Sequence, residues 1–167
     1  MCVRTHIMCV RTHMSIPYDE RMASKEWRDD DFVGAWSALL RLHAALVPVM
    51  DADLERETGI PLGWYDVLLE LSVAPDRRLR MSELGDAVVL SRTRVSRVVD
   101  ELAARGYVTR VANPEDRRSA FAVLTNEGAK AFRRAAPVYL DRIRAHLSAR
   151  LGSRDARELR RLLERAL

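Results

Sequence analysis

Apolar residues recur three and four apart at Phe32, Val33, Trp36, Leu39, Leu40, Leu46 and Val47, behind three acids, Asp29, Asp30 and Asp31. This is the period of a helix face, and acids suit the positive end of a helix dipole. The pattern predicts a long helix, kinked at Pro48, that runs through Met50 and Leu54 to Gly59. After Pro61 and Gly63, Trp64, Val67, Leu68 and Leu71 mark a second helix. It must finish before Pro75, because a proline restricts the residue ahead of it. The stretch PDRRLR that follows reads as a polar, arginine-rich turn.

From Met81 the elements shorten. Leu84, Ala87 and Val88 predict a helix of about two turns, broken near Val89 and Leu90. Ser91 then offers an N-cap hydroxyl to a fourth helix, which ends before Gly106. Two short helices across a tight junction suggest a helix-turn-helix. Beyond Gly106 the pattern becomes strand-like over Tyr107 to Ala112 and Ala120 to Leu124, joined by NPEDRRS, in which Pro114 presets a turn dihedral. Thr125 caps a longer helix with a stripe at Phe132, Ala136, Tyr139, Ile143, Leu147 and Leu151, bent at Pro137. After Gly152 and Ser153 a last helix carries Leu159, Leu162, Leu163 and Leu167.

The expected fold is mainly α with a small β-hairpin wing: a winged helix-turn-helix core over residues 61–125, flanked by dimerisation helices over 29–60 and 126–167. The flanking stripes exceed what so small a core can cover. Exposed apolar surface of that extent marks an interface, and a twofold homodimer with interleaved first and last helices covers it.

Composition narrows the picture. A chain of 167 residues, 48% hydrophobic and 31% charged, can bury one core. It has no uninterrupted run of about 18 apolar residues, which argues against a spanning helix, and its start lacks the apolar stretch of a secretory signal. A cytoplasmic protein with no membrane partner is expected. Residues 1–28 read as a disordered extension, and the first fourteen write one heptad nearly twice, MCVRTHI then MCVRTHM. Two copies are too few for a repeat architecture, so the duplication reads as an artefact of cloning or of start-site assignment. Both cysteines, Cys2 and Cys9, fall there; with His6 and His13 they have the residue types of a metal site, the weaker reading of this segment. No cofactor is expected.

The net charge of +4 conceals a segregation. Arg and Lys less Asp and Glu give 5 − 10 = −5 over residues 15–60, 10 − 6 = +4 over 77–118 and 11 − 4 = +7 over 130–167. The basic 77–118 block suits a polyanion, while the acidic and basic ends suit contact with each other.

On a helical wheel Val95, Val98, Val99 and Leu102 form a core face, while Thr93, Arg97 and Asp100 lie opposite, with Arg94 and Ser96 on the flanks. Ser91 and Arg92 occupy the tip, where free backbone N–H groups can meet a phosphate. A major groove calls for small hydroxyl residues that allow close approach and for arginines able to pair with guanine. The recognition set is therefore Ser91, Arg92, Thr93, Arg94, Ser96 and Arg97. In the hairpin loop Arg118, and secondarily Arg117, would reach a narrow minor groove or its phosphates. Asp116 has the wrong sign for DNA and is expected to pin an arginine.

The run MSELGDAVVLSRTRVSRVVDELAARGYVTRVANPEDRRSAFAVLTNEG, beginning at Met81, resembles the DNA-binding core of the MarR family of bacterial transcriptional regulators. The shared features are an "ELA"-like helix at Glu83-Leu84-Gly85 and a Ser-rich recognition helix from Ser91 to Arg97. "L..RG.V.R" follows at Leu102, Arg105-Gly106 and on to Arg110, "P.DRR" at Pro114 and Asp116 to Arg118, and "LT..G" at Leu124-Thr125 and Gly128. Gly85 departs from the usual alanine and lowers helix propensity. The resemblance implies a homodimer on a pseudo-palindromic double-stranded DNA operator, generally a repressor, released by a small phenolic or anionic effector. It also implies a pocket between dimer helices and winged core, for which Trp36, His43, Trp64 and Asp66 are the candidates; the alternative for Asp66 is a structural pair with Arg92 or another arginine.

Other classes have less support. The four histidines are scattered, HExxH, GxSxG and phosphate-cradling glycine loops are absent, and no enzyme is expected. The alternative is a winged-helix protein-interaction module that does not bind DNA.

Overall fold

The computed structural model describes residues 30–88, 90–114, 116 and 119–167. The duplicated heptad, its Cys2, His6, Cys9 and His13, and the wing arginines Arg117 and Arg118 lie outside the described residues. The chain divides into one unit ending at His43 and a second from Ala44 to Leu167.

The first helix, α1, spans Asp31–Thr58 and passes through Pro48. Its start is fixed by Asp30, whose carboxylate accepts the backbone N–H groups of Phe32 at 2.9 Å and Val33 at 3.0 Å. Two of the four orphan donors of the first turn are satisfied in this way. In the first unit, none of the described residues is buried, and Phe32, Trp36 and Leu40 are exposed. Only in the second unit does α1 bury a stripe, at Leu46, Met50 and Leu54. By length and composition α1 is apolar enough to cross a membrane, contrary to the expectation from unbroken apolar runs. Between Phe32 and Met50 the charged side chain is Arg41 alone. One interruption defeats a rule based on continuous runs without making the segment polar.

In the second unit α2 (Leu62–Val73) is the central element, with Leu62, Tyr65, Val67, Leu68 and Leu71 buried. Each fully buried leucine contributes about 1.5–3 kcal/mol of transfer free energy. A 3₁₀ turn, Pro75–Arg77, leads into β1 (Arg78–Arg80), and then α3 (Met81–Ala87). Glu83 opens α3 by accepting the Arg80 N–H at 2.8 Å. Helix α4 follows over Arg92–Ala104, capped by Ser91, whose hydroxyl accepts the Arg94 N–H at 3.3 Å. Gly106 ends it at φ +72, a left-handed conformation suited to glycine.

Strands β2 (Val108–Ala112) and β3 (Ala120–Leu124) form the expected hairpin. PDRRLR is not only a turn: β1 pairs antiparallel with β3, Leu79 opposite Ala122, giving a three-stranded sheet in the order β1-β3-β2. A three-residue strand rich in arginine has no readable alternation, and its partner lies more than forty residues downstream.

Helix α5 spans Asn126–Ser148, through Pro137, and α6 spans Ser153–Ala166. The buried face of α5 is Gly128, Ala129, Ala131 and Ala135; Phe132, Ala136 and Tyr139 of the expected stripe lie at its margin, half-buried. Small residues let α5 approach α2, where Tyr65 meets Tyr139 at 4.5 Å and Phe132 at 5.4 Å between ring centroids. Two acids near the end of α1 meet α5: Glu57 accepts from Arg142 at 3.3 Å, and Asp53 bonds His146 at 2.9 Å. His146, then Arg56, holds the Asp53 carboxyl below its ordinary range.

Gly85 sits inside α3 with room for a side chain, since a Cβ there meets the Arg92 Cγ at 3.6 Å, ordinary contact. Gly85→Ala is expected to raise stability by about 0.5–1 kcal/mol through helix propensity. A urea midpoint unchanged or lowered in the variant would refute this.

Candidate nucleic-acid interface

Helix α4 divides as its sequence pattern predicts. Val95, Val98, Val99 and Leu102 are buried, while Arg92, Thr93, Arg94, Arg97 and Asp100 are exposed and Ser96 is half-buried. The buried valines lock the helix, so the exposed face has a fixed direction relative to the sheet.

The arginines around this face are in different situations. Arg92 reaches Asp86 on α3 at 3.4 Å. Arg97 gives its Nε–H to Glu101 Oε1 at 3.3 Å, and Glu101 Oε2 accepts the Trp64 indole N–H at 2.9 Å. Arg105 lies over the Trp64 ring, 5.7 Å from its centroid. Arg110, on β2, donates to the Ser96 carbonyl at 3.2 Å and hydroxyl at 3.0 Å and meets Asp100 Oδ1 at 3.1 Å. The Arg94 guanidinium makes no hydrogen bond or ion pair with the described residues. Exposed pairs of these kinds contribute little stability, about 0–1 kcal/mol each, so their effect is chiefly on where the guanidinium groups point.

Arg110 and Glu101 make contacts at this face that the sequence pattern did not single out, and Asp100, placed on the exposed face by the helical wheel, gains a partner in Arg110. Period-two alternation puts Arg110 on the same face of β2 as the buried Val108, and the pattern does not show that its exposed guanidinium reaches α4. Ser96, expected at the groove, has its hydroxyl engaged by Arg110, and Ser91 has its own engaged in the cap. Asp116 is exposed, and its carbonyl accepts the Ser119 N–H at 2.9 Å, closing the loop.

A groove of about 490 Å³ runs between the start of α2 and α4, lined in part by Pro61, Trp64, Ser91, Arg94, Arg97 and Glu101. Of the candidate effector residues, Trp64 lines this groove and Asp66 does not. Trp36, 61% exposed, and His43, also exposed, belong to the first unit. The alternative pairing of Asp66 with Arg92 is not formed: Arg92 turns to Asp86, and the charges acting on Asp66 are those of Glu70 and Asp51. Among the described residues, no group of acids, histidines and cysteines has the arrangement of a metal site.

Burial, reinforced by Glu70 and Asp51, pushes the Asp66 carboxyl up to about 6 from an ordinary 3.8. The folded state therefore holds a proton that the unfolded chain has released, so stability falls as pH rises through that window and is level above it. With partial exposure discounted, the ionised carboxylate costs about 1–2 kcal/mol at neutral pH. Asp66→Asn is expected to flatten this decline. Denaturation midpoints at about pH 4 and pH 7.5 check it, and an equal drop in both proteins rejects the assignment.

The sequence profile of the MarR family matches residues 58–119. The HTH-type transcriptional regulator PrsX of Escherichia coli is 39% identical over 70 residues, 42% of each chain, so the match spans less than half of that relative's length. The transcriptional repressor MprA of Escherichia coli K12 is 33% identical over 125 residues, 72% of this chain and 70% of its own. The structure of Sco3205, a MarR family transcriptional regulator from Streptomyces coelicolor solved in complex with DNA, superimposes with a TM-score of 0.70 at 33% identity. That superposition covers 79% of this chain and 83% of Sco3205. A winged helix whose core valines aim an arginine-bearing face outward, and a relative matched over more than two thirds of both chains, lead to one conclusion: the chain belongs to the MarR family of transcriptional regulators.

Proposed function

We propose that the chain is a homodimeric, sequence-specific regulator of double-stranded DNA, acting as a repressor at a pseudo-palindromic operator. The observation that carries this is the exposed face of α4, on which Thr93, Arg94 and Arg97 project from a helix anchored by four buried residues. Such a helix enters a major groove, and two of them across a twofold engage half-sites about 10 bp apart. The wing residues Asp116, Arg117 and Arg118 serve the adjacent minor groove, with Asp116 pinning an arginine. The DNA complex of Sco3205 and the repressor name of MprA support the partner and the sign of regulation.

The apolar side of α1 faces a second subunit in this proposal. Arg41 sits midway between Phe32 and Met50, and an arginine at the centre of a spanning helix costs about 2.5–3.5 kcal/mol, which favours a protein partner over a bilayer. A cytoplasmic location follows from the DNA partner. Release by a small phenolic or anionic effector completes the proposal, with Trp36, His43, Trp64 and Asp66 as candidate contacts. Catalysis has no part in it.

Binding to duplex DNA across a salt series tests the central claim. Log affinity is expected to fall steeply with log salt, and Arg118→Ala in both subunits should reduce the magnitude of the slope by about two, one per phosphate contact. A flat salt response with intact binding to a protein partner would instead support the interaction module.

A further inference from the structure

We propose that Glu101 and Trp64 form a positioning clamp for Arg97, through which α2 sets the base preference of the recognition helix. This rests on the DNA-binding reading above and adds to it a specificity device.

The bonds run in one line. The Trp64 indole N–H, on α2, donates to Glu101 Oε2 at 2.9 Å, and Glu101 Oε1 accepts from the Arg97 Nε at 3.3 Å. An Arg97–Glu101 pair four residues apart on a solvated helix is ordinarily loose. Here one carboxylate oxygen is anchored to a neighbouring helix by a bond that depends on direction, so the other oxygen is fixed in place. The anchor is itself held, because Arg105 stacks on the Trp64 ring and Tyr107 meets its edge at 6.5 Å and 85°.

The choice of nitrogen matters. A carboxylate that engages Nε leaves the end-on fork of Nη1 and Nη2 available. Arg97 is exposed, so that fork can make the two parallel bonds by which an arginine reads guanine. The side chain is oriented before DNA arrives, and ordering it costs less on binding. The indole bond also offsets part of the negative charge that Glu101 would otherwise present near phosphates.

Glu101→Gln is the near-isosteric probe. Its single carbonyl oxygen cannot replace both carboxylate oxygens, and its amide N–H₂ cannot accept from either donor. Affinity should be measured for an operator selected from random duplex DNA and for its single-base-pair variants, using the full chain as wild type, Glu101→Gln, Trp64→Phe, Arg97→Ala and Glu101→Gln/Arg97→Ala. Discrimination at the base pair read by Arg97 is expected to drop about tenfold in Glu101→Gln and in Trp64→Phe, while other positions change less than about twofold. In the Arg97→Ala background, Glu101→Gln should change nothing further. In the free protein, the Arg97 Nε–H should exchange with water more slowly than that of Arg94 and lose this protection in both single variants.

A uniform change across all duplexes, effects that add in the double variant, or no difference in exchange would each overturn the clamp while DNA binding stands. Failure of the wild-type protein to bind any duplex would overturn the DNA-binding reading and the clamp's role in specificity together.

Discussion

The Gly128→Ala protein is expected to be about 2–3 kcal/mol less stable than the wild type, although alanine is the better helix former. Gly128 lies in the first turn of α5, where its N–H donates to the Thr125 hydroxyl at 3.0 Å. That hydroxyl donates in turn to the Gly106 carbonyl at 2.7 Å, and the Thr125 N–H donates to the Tyr107 carbonyl at 3.0 Å. The end of α4, the start of β2 and the start of α5 are thus bonded within a few ångströms of each other. A Cβ on Gly128 would overlap the Tyr107 carbonyl oxygen, and it would lie 2.9 Å from the carbonyl carbon and 2.8 Å from Leu124 Cδ1. The leucine can rotate, but the backbone carbonyl can move only if β2 or α5 moves. Overpacking usually costs about 1–3 kcal/mol, near the top when backbone is the obstacle, whereas propensity returns about 1 kcal/mol at most. The steric term wins. Urea denaturation decides the matter: a variant within about 0.5 kcal/mol of the wild type would mean that α5 can shift at little cost.

The second large effect is expected on DNA rather than on folding. Arg94→Ala in both subunits should weaken operator binding by about 2–6 kcal/mol, roughly 30-fold to 20,000-fold, at one bidentate contact of about 1–3 kcal/mol per subunit. Arg92 is drawn to Asp86, Arg97 to Glu101, Arg105 to Trp64 and Arg110 to Ser96 and Asp100. The Arg94 guanidinium has no such partner among the described residues, so the groove is where it gains most. Its side chain also starts from the first turn of α4, nearest the capped tip. Stability should hardly change, because the side chain is exposed. A fall of less than about fivefold at the operator, or an equal fall on unrelated duplexes, would assign Arg94 to phosphate or to solvent.

Local pattern carried much of this molecule. Helical period placed α1, α2, α4 and α5, and the cap residues Ser91 and Thr125 with Gly106 marked their ends, because capping and left-handed backbone depend on neighbours within a few residues. The split of α4 into a valine face and an arginine face was legible for the same reason: both faces belong to one continuous helix. The MarR resemblance rested on these same short motifs.

What the pattern could not provide was partnership between distant segments. β1 is three residues of arginine and leucine that become a strand only beside β3. The buried face of α5 is alanine because α2 comes close, not because alanine is strongly apolar. Gly128 stood in a familiar motif, yet its physical reason is the Tyr107 carbonyl some twenty residues earlier. Glu101 looked like a solvated helix acid until α2 brought the Trp64 indole to it. Sequence by itself determined the main helices, the two hairpin strands, their ends and the face that α4 must bury, since backbone geometry and side-chain period are local. Which carbonyl, carboxylate or ring meets which across the core was decided by tertiary packing alone, because those distances exist only once the chain has folded.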